Sequence, residues 1–295
     1  MKKHTVIAVA GGDLRNVRLA NALAEKKPGC KIYGMFFGND VKLSEKLKIS
    51  DDVRQVFPQS DIIILPLPAL SPGGTIHTPL CDAEISWQDC LDYIRPGTLV
   101  AAGKVSEEML RDSIENRFEL TDYLAGEEFA VLNAVPTAEG AIEIALREMP
   151  ITLHKATCMI VGYGRISKVL TGLLKAFGAR VLVAARKHSD LAWAEIAGAE
   201  PVHITQLDNS LRDIDVLFNT VPAVILDGDK LEKLSGHCLV IDLASKPGGV
   251  DFQAAKLMGI KTVWALSLPG KTAPVSAGDI LLATINNIIA ERGYT

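Results

Sequence analysis

Short apolar runs alternate along this chain with stretches in which hydrophobic residues recur every three or four positions, the pattern of buried strands separated by amphipathic helices. Residues 157–187 show it most clearly. Cys158 to Val161 is apolar and ends in Gly162-Tyr163-Gly164, after which Ile166, Val169, Leu170, Leu173, Leu174 and Phe177 share one helical face. Gly178 stops the helix and Val181 to Ala185 is a second apolar run, so the stretch predicts a βαβ unit with a glycine turn. Upstream, Val6 to Ala10, Ile32 to Phe36, Asp61 to Leu65 and Thr98 to Ala102 read as strands. Helices are expected from the Gly11-Gly12-Asp13 turn to about Glu25, from Asp82 to Tyr93, and after a Ser106 cap. Downstream, strands are expected near Val202 and at Val216 to Thr220, Leu239 to Leu243 and Thr262 to Trp264, with helices at Leu191 to Ala197 and Asp251 to Met258.

This order predicts an α/β chain of two doubly wound parallel-sheet domains, the second a Rossmann NAD(P)-binding domain. The expected division is 1–136 for an N-terminal substrate and catalytic domain, 137–150 for a connecting helix, and 151–275 for the Rossmann domain. A C-terminal helix within 276–295, with Ile280, Leu281, Thr284, Ile285, Ile288 and Ile289 on one stripe, is expected to pack back on the first domain. In the connection, Pro136 is read as ending the preceding segment. Thr137 then caps a helix from Ala138 to Arg147, with Glu139 in its first turn. No internal repeat or low-complexity tract is evident.

The glycine turn specifies an anion site. Gly162 permits a sharp turn, Gly164 lets backbone approach phosphate oxygens, and the helix beginning at Arg165 and Ile166 presents N–H groups and a positive dipole end to a pyrophosphate. Ser167 stands where the dinucleotide fingerprint has its third glycine. At the end of the second strand, where an NAD site usually carries an acidic residue, the chain has Arg186, Lys187, His188 and Ser189. That cluster would pair with a 2′-phosphate, so NADP is the expected cofactor and NAD the other candidate; the alternative is a solvated basic loop. Two further loops follow strands, Asn219-Thr220-Val221-Pro222 and Asp242 to Gly249. Leu243, Ala244 and Ser245 in the second are expected to border the cofactor, unless Pro and Gly merely end the strands.

Composition narrows the remaining classes. With 295 residues, 48% of them hydrophobic, and a net charge of -4 with no basic tail, two buried cores are expected and nucleic acid is not. The start, Lys2-Lys3-His4 before a very short apolar run, resembles a signal peptide only superficially, and no sequence run reaches membrane-spanning length. The five cysteines have no CxxC spacing and read as reduced, mostly buried thiols of a cytoplasmic protein, with no metal site. There is no Ser-His-Asp pattern and no Walker A lysine loop.

Other candidates lie in loops. Asp13 and Arg15 at the first helix N-terminus suit a carboxylate, although Arg15 could instead form a surface ion pair. The Pro/Gly-rich loop Ser71 to Pro79, too irregular for an element, offers Gly74 and Thr75 as substrate contacts and His77 as a conceivable acid or base. Pro269 and Gly270 in the Leu268 to Pro274 loop are expected to cross the cleft between domains, as substrate contacts or as an ordinary crossover.

Six stretches carry a family resemblance: VAGGDLR from Val9, NAVPTAEG from Asn133, VGYGR from Val161, FNTVPAVIL from Phe218, IDLASKPGGVDF from Ile241 and LPGKTAPVSAG from Leu268. Together they resemble the A subunits of dipicolinate synthases, spore-specific enzymes of endospore-forming bacteria. The last stretch is also similar to alanine dehydrogenases. The resemblance implies NAD(P)-linked formation of pyridine-2,6-dicarboxylate from a dihydrodipicolinate-level product of the lysine pathway, in the mother cell. It implies a partner too, the flavoprotein-like B subunit of dipicolinate synthase, and it implies Lys246 as an anion contact. A small dicarboxylate would dock on Arg15, with Thr137 and Ser245 as hydrogen-bond donors. Glu139 is the carboxylate placed to accept a proton, or one that simply favours its helix N-terminus. Dehydrogenases of this build are commonly oligomers, so at least a dimer is expected. The alternatives are an NADP-dependent amino-acid or 2-hydroxy-acid dehydrogenase of the alanine dehydrogenase type, and a nucleotide-binding scaffold without turnover.

Overall fold

The computed structural model describes residues 5–294, so the Lys2-Lys3-His4 start and the last residue of the predicted tail helix lie outside the described residues. The first elements are β1 (Val6–Ala10), α1 (Leu14–Lys26), β2 (Lys31–Met35), β3 (Lys48–Ile49), α2 (Val53–Val56), β4 (Ile62–Ile64), α3 (Trp87–Leu91), β5 (Leu99–Ala102), α4 (Glu107–Glu115) and β6 (Glu119–Asp122). Then come α5 (Glu127–Glu148), β7 (Thr157–Val161), α6 (Arg165–Ala176), β8 (Arg180–Ala185), α7 (His188–Ile196), β9 (Glu200–His203), β10 (Val216–Asn219), α8 (Gly228–Leu231) and β11 (Leu239–Asp242). The last are α9 (Phe252–Leu257), β12 (Lys261–Trp264), α10 (Leu268–Thr272) and α11 (Pro274–Glu291).

Two compact units result, residues 1–132 with 274–295 and residues 133–273. Each has one six-stranded sheet, in the order β3-β2-β1-β4-β5-β6 and β12-β11-β10-β7-β8-β9. Every neighbouring pair is parallel. Counted from its own first strand each sheet has the same order, so one doubly wound architecture is built twice. The topological switch falls beside β1 in one unit and beside β7 in the other, where such sheets bind ligands.

Both faces of each sheet are buried, which is why the strands read as continuous apolar runs rather than alternating ones. Ile7 and Val9 enter one core while Ala8 and Ala10 enter the other. In the second unit Cys158 and Ile160 face the core that holds Leu170 and Leu174 of α6, and Met159 and Val161 face the opposite one. The apolar stripe of α11 packs on unit 1, with Leu281, Leu282, Ile285 and Ile289 buried beside Val17, Ala20 and Ala24 of α1. This contact needs Gly278: a Cβ there would lie 2.6 Å from Arg18 Cβ and 2.9 Å from the Arg15 carbonyl oxygen. Arg18 and Asp279 close the same seam with an ion pair at 2.9 Å.

Several sequence expectations are corrected. Pro136 does not end a segment; it lies inside α5, which begins at Glu127. The residue four positions earlier, Leu132, is 38% exposed, so the carbonyl that loses its N–H partner can turn to water. Thr137 is accordingly no N-cap, and its hydroxyl donates back to the Asn133 carbonyl at 2.7 Å. Reading through Pro136 also makes α5 long and apolar enough to cross a membrane, although 56% of that apolar window is buried. Ala138, Ala141, Ile144 and Ala145 place it in a protein core. The helix expected over Asp82 to Tyr93 is only Trp87–Leu91, and the edge strands β3 and β6 have no apolar run that would mark them. The expected loop after Leu268 contains the short helix α10.

Candidate functional site

The turn after β7 is built for close approach. Gly162 has φ +94°, and a Cβ on it would come within 2.5 Å of Thr220 Oγ1. Thr220 donates its hydroxyl to the Val161 carbonyl at 2.9 Å, so the buried Ser167 hydroxyl donates to Thr220 Oγ1 at 3.0 Å. Ser167 therefore replaces the third fingerprint glycine with a bond that ties α6 to the loop after β10. Gly164 is the N-cap of α6, carries no side-chain cap, and faces open space where a Cβ would stand. That open N-terminus fits an anion, and the helix that Arg165 and Ile166 begin supplies the dipole.

At the end of the neighbouring strand β8, Arg186, Lys187, His188 and Ser189 are all exposed, and Lys187 is the N-cap of α7 with no side-chain cap bond. His203, at the end of β9, lies 3.2 Å through Nε2 from the Arg186 carbonyl, which can only accept; the ring is therefore protonated on Nε2. Its Nδ1 then accepts from the Thr205 hydroxyl at 2.8 Å. The same ring stacks on His188, with centroids 5.4 Å apart. The basic corner thus has a fixed backbone beneath exposed cationic heads.

The loops after β10 and β11 are held by a buried polar pair. Asp242 is fully buried and accepts from Asn219 Nδ2 at 2.7 Å, from the Ala244 N–H at 3.1 Å and from the Gly249 N–H at 2.8 Å. Asn219 also bonds both polar groups of Val221, donating to its carbonyl at 3.0 Å and accepting from its N–H at 3.2 Å. Its amide is thereby committed to shaping the loop. Trp264 Nε1 donates to the Ala244 carbonyl at 3.1 Å and stacks on Phe252. Pro222, Ser245 and Lys246 are exposed at these loops, while Leu243 and Ala244 are buried. Asp242 could have been noticed in sequence as the one charge closing an otherwise apolar strand.

In unit 1 the turn after β1 is topologically equivalent but differently filled. Asp13 caps α1 by accepting from the Arg15 N–H at 3.0 Å, and its carboxylate takes the Arg15 guanidinium at 2.9 Å through Nε and 2.8 Å through Nη2. Arg15 Nη2 also donates to the Leu67 carbonyl at 3.2 Å, and the residue is only 8% exposed. The guanidinium is therefore buried while its partner carboxylate is half-buried, and Asp13 already occupies the position at the helix end expected for an external anion. Gly12 N–H donates to the His77 carbonyl at 2.8 Å. The loop that carries His77 is more regular than its sequence suggests: antiparallel bridges join Leu70 to Ile76 and Thr75 to Ser86. Gly74 is exposed at its tip and Thr75 half-buried. His77 Nδ1 lies 3.1 Å from Ser71 Oγ. Burial lowers the His77 pKa, Asp13 opposes that and Arg15 adds to it. Burial also raises the pKa of Tyr123, whose hydroxyl donates to the Leu65 carbonyl at 3.1 Å.

The remaining predicted residues lie on α5 and α10, which pack together: a Cβ on Gly140 of α5 would stand 2.8 Å from Thr272 Oγ1 of α10. Thr137 is buried with its hydroxyl committed, and Glu139 lies mid-helix and exposed, so neither stands at a helix N-terminus. Pro269 is buried and Gly270 half-buried in α10, which follows Ser267 in a left-handed conformation at φ +60°. A cavity of about 590 Å³ beside them is lined by Glu143, Arg147, Trp264, Leu266, Lys271 and Thr272 among others. Among the described residues no cluster of His, Cys, Asp and Glu could hold a metal ion.

Comparison with known proteins agrees with the two-unit α/β fold. Residues 6–124 match the N-terminal domain of the dipicolinate synthase A subunit, and residues 137–245 match the NAD-binding domain of D-isomer specific 2-hydroxyacid dehydrogenases. The chain is 32% identical over 286 residues to the dipicolinate synthase A subunit of Bacillus subtilis, covering 97% of this chain and 96% of that protein. The crystal structure of the dipicolinate synthase A subunit from Bacillus halodurans superposes with a TM-score of 0.90 at 29% identity, covering 98% of this chain and 99% of that one. An L-alanine dehydrogenase shares the fold, with a TM-score of 0.67 at 10% identity over 98% of this chain and 91% of that one.

Proposed function

This chain belongs to the family of dipicolinate synthase A subunits, and on that premise we propose that it oxidises a dihydrodipicolinate-level intermediate of the lysine pathway to pyridine-2,6-dicarboxylate during sporulation. The cofactor of this reading is NADP. One observation carries it: Arg186, Lys187 and Ser189 stand exposed at the end of β8, next to the strand that leads into the uncapped N-terminus of α6. A 2′-phosphate would meet a planar guanidinium fork, an ammonium and a hydroxyl, where an NAD site would offer a carboxylate. When bound, the nicotinamide would supply hydride acceptance.

The chain's own groups bind and orient. Backbone at Gly164 and the dipole end of α6 hold the pyrophosphate, and the Asn219–Asp242 pair fixes the loops at Thr220 to Pro222 and Leu243 to Ser245 that border the cofactor. In unit 1, Asp13 orients Arg15, whose Nη1 is the guanidinium nitrogen outside the bonds to Asp13 and Leu67 and is free in direction to meet a substrate carboxylate. Gly74 and Thr75 contribute backbone and hydroxyl donors. Lys246 is an anion contact of unit 2. Aromaticity of the product supplies driving force, so positioning and exclusion of water are the main demands on the protein. The reading includes partnership with a flavoprotein-like B subunit, assembly into a homo-oligomer, and the mother-cell cytoplasm as its place.

A coupled assay tests this: the upstream synthase product, NADP+ or NAD+, with and without the B subunit, and ultraviolet detection of the aromatic dicarboxylate. Turnover with NADP+ is the expected result. The match of residues 137–245 to 2-hydroxyacid dehydrogenases favours one second reading, a dehydrogenase of amino or 2-hydroxy acids. Alanine and lactate in the same assay separate the two, and cofactor binding without turnover in any combination would leave only a scaffold.

A further inference from the structure

We infer that His77 is a second carboxylate-binding group beside Arg15, so that unit 1 by itself captures a small aromatic dicarboxylate without nucleotide; the choice of ligand rests on the reading above. Three bonds within this unit define the mouth of the site. Arg15 Nη2 donates to the Leu67 carbonyl at 3.2 Å, the His77 N–H to the Ala69 carbonyl at 3.1 Å, and the Gly12 N–H to the His77 carbonyl at 2.8 Å. The turn after β1, the segment after β4 and the loop that carries His77 are thus laced together. They meet at the carboxyl ends of β1 and β4, the switch point of this sheet.

Two nitrogens at this mouth are open. The Arg15 side chain is 10% exposed, with Nε and Nη2 committed to Asp13 and Leu67, while Nη1 has no partner among the described residues. Nη1 is not sealed in as the Asn16 amide nitrogen is, so its two N–H groups meet solvent. On His77, Nδ1 lies 3.1 Å from Ser71 Oγ, and Nε2 likewise reaches solvent without a partner. The serine hydroxyl can donate or accept, so it keeps this bond in either neutral form of the ring and in the imidazolium, whose two N–H groups both donate. A nine-tenths buried cation with one edge free fits a carboxylate, and an imidazolium beside it supplies a second charge-assisted donor. The charged groups acting on the ring are Asp13 and Arg15, in opposite senses; Tyr123, within the field of both, is fully buried and stays protonated. Burial lowers the His77 pKa, so the ring of the free protein is neutral at pH 7, and a bound carboxylate favours the imidazolium and draws in a proton.

The experiment is calorimetric titration of the full chain, free of nucleotide, with benzene-1,3-dicarboxylate and pyridine-2,6-dicarboxylate as probes. Affinity should rise about 10-fold from pH 8 to pH 6, and at pH 7 buffers of different ionisation heat should reveal net proton uptake on binding. His77→Gln should abolish the pH dependence, weaken binding at pH 6 by about 10-fold and leave NADP+ affinity unchanged. The inference is overturned by wild type that binds neither probe or binds without proton uptake, or by a His77→Gln protein that keeps the wild-type pH dependence. If His77→Gln has lost NADP+ affinity as well, proton uptake by the wild type decides. A wild type that binds the probes as expected yet makes no aromatic dicarboxylate in the coupled assay removes the dehydrogenase reading and leaves the carboxylate site standing. An active wild type whose probes bind equally well without His77 removes the inference alone.

Discussion

Asp242 and Asn219, the last residues of adjacent strands β11 and β10, meet at 2.7 Å with both side chains fully buried. A carboxylate without a cation is tolerated there because three donors converge on it. Asp242→Ala leaves the Asn219 amide and the Gly249 N–H without their acceptor, and should cost about 3 kcal/mol or more in urea denaturation. Asp242→Asn, which keeps one acceptor oxygen but turns an NH2 toward a donor, should fall between that variant and wild type.

Removing the charge at the end of β8 should change cofactor choice rather than fold. Arg186 is exposed, so Arg186→Ala is expected to leave the melting temperature within about 1–2 °C of wild type. Fluorescence titration should show NADP+ affinity lower by about 10- to 30-fold and NAD+ affinity little altered, a loss of about 1.4–2 kcal/mol. Equal losses for both nucleotides would place the 2′-phosphate elsewhere.

Arg15→Ala has two consequences because the residue is both buried and paired. It leaves the Asp13 carboxylate, 29% exposed, with the backbone N–H of residue 15 and water as partners, so stability should fall by about 1 kcal/mol, and it removes the proposed carboxylate contact, so KM should rise while NADP+ affinity stays unchanged. Arg15→Lys should restore little of either, since an ammonium cannot reproduce the paired bonds from Nε and Nη2 to Asp13. Steady-state kinetics alongside thermal denaturation separates the two effects.

The thiols of Cys90, Cys158 and Cys238 are each pushed up to about 12 by burial. Their folded pKa values lie above those of the unfolded chain, so the stability they contribute is complete below about pH 8.5 and is lost as pH rises toward 12. Across that window unfolding free energy should fall by up to about 1.4 kcal/mol per pH unit for each thiol. With a thiol reagent at pH 8, the half-buried Cys30 and Cys81 should react in the native protein and the other three only after denaturation.

The βαβ unit from Thr157 to Ala185 was legible in sequence because strand, glycine turn and helical stripe are all local signals. Pro136 misled because its local propensity opposes a helix, while a core packed with alanine on α5 overrides it. That single residue displaced Thr137 and Glu139 from mid-helix to a cap that does not exist. Bonds from backbone or side chain to distant partners, such as Gly12 to His77 and Asn219 to Asp242, leave no periodic trace. The shared strand order of the two units is equally silent in sequence, since topology is conferred by pairing rather than by matching letters.

Because the turn after β1 is stoppered by its own carboxylate while the one after β7 stands open, duplication of the architecture does not double its capacity. One polypeptide should take up a single equivalent of dinucleotide at saturation, leaving the other half of the molecule available for a smaller guest.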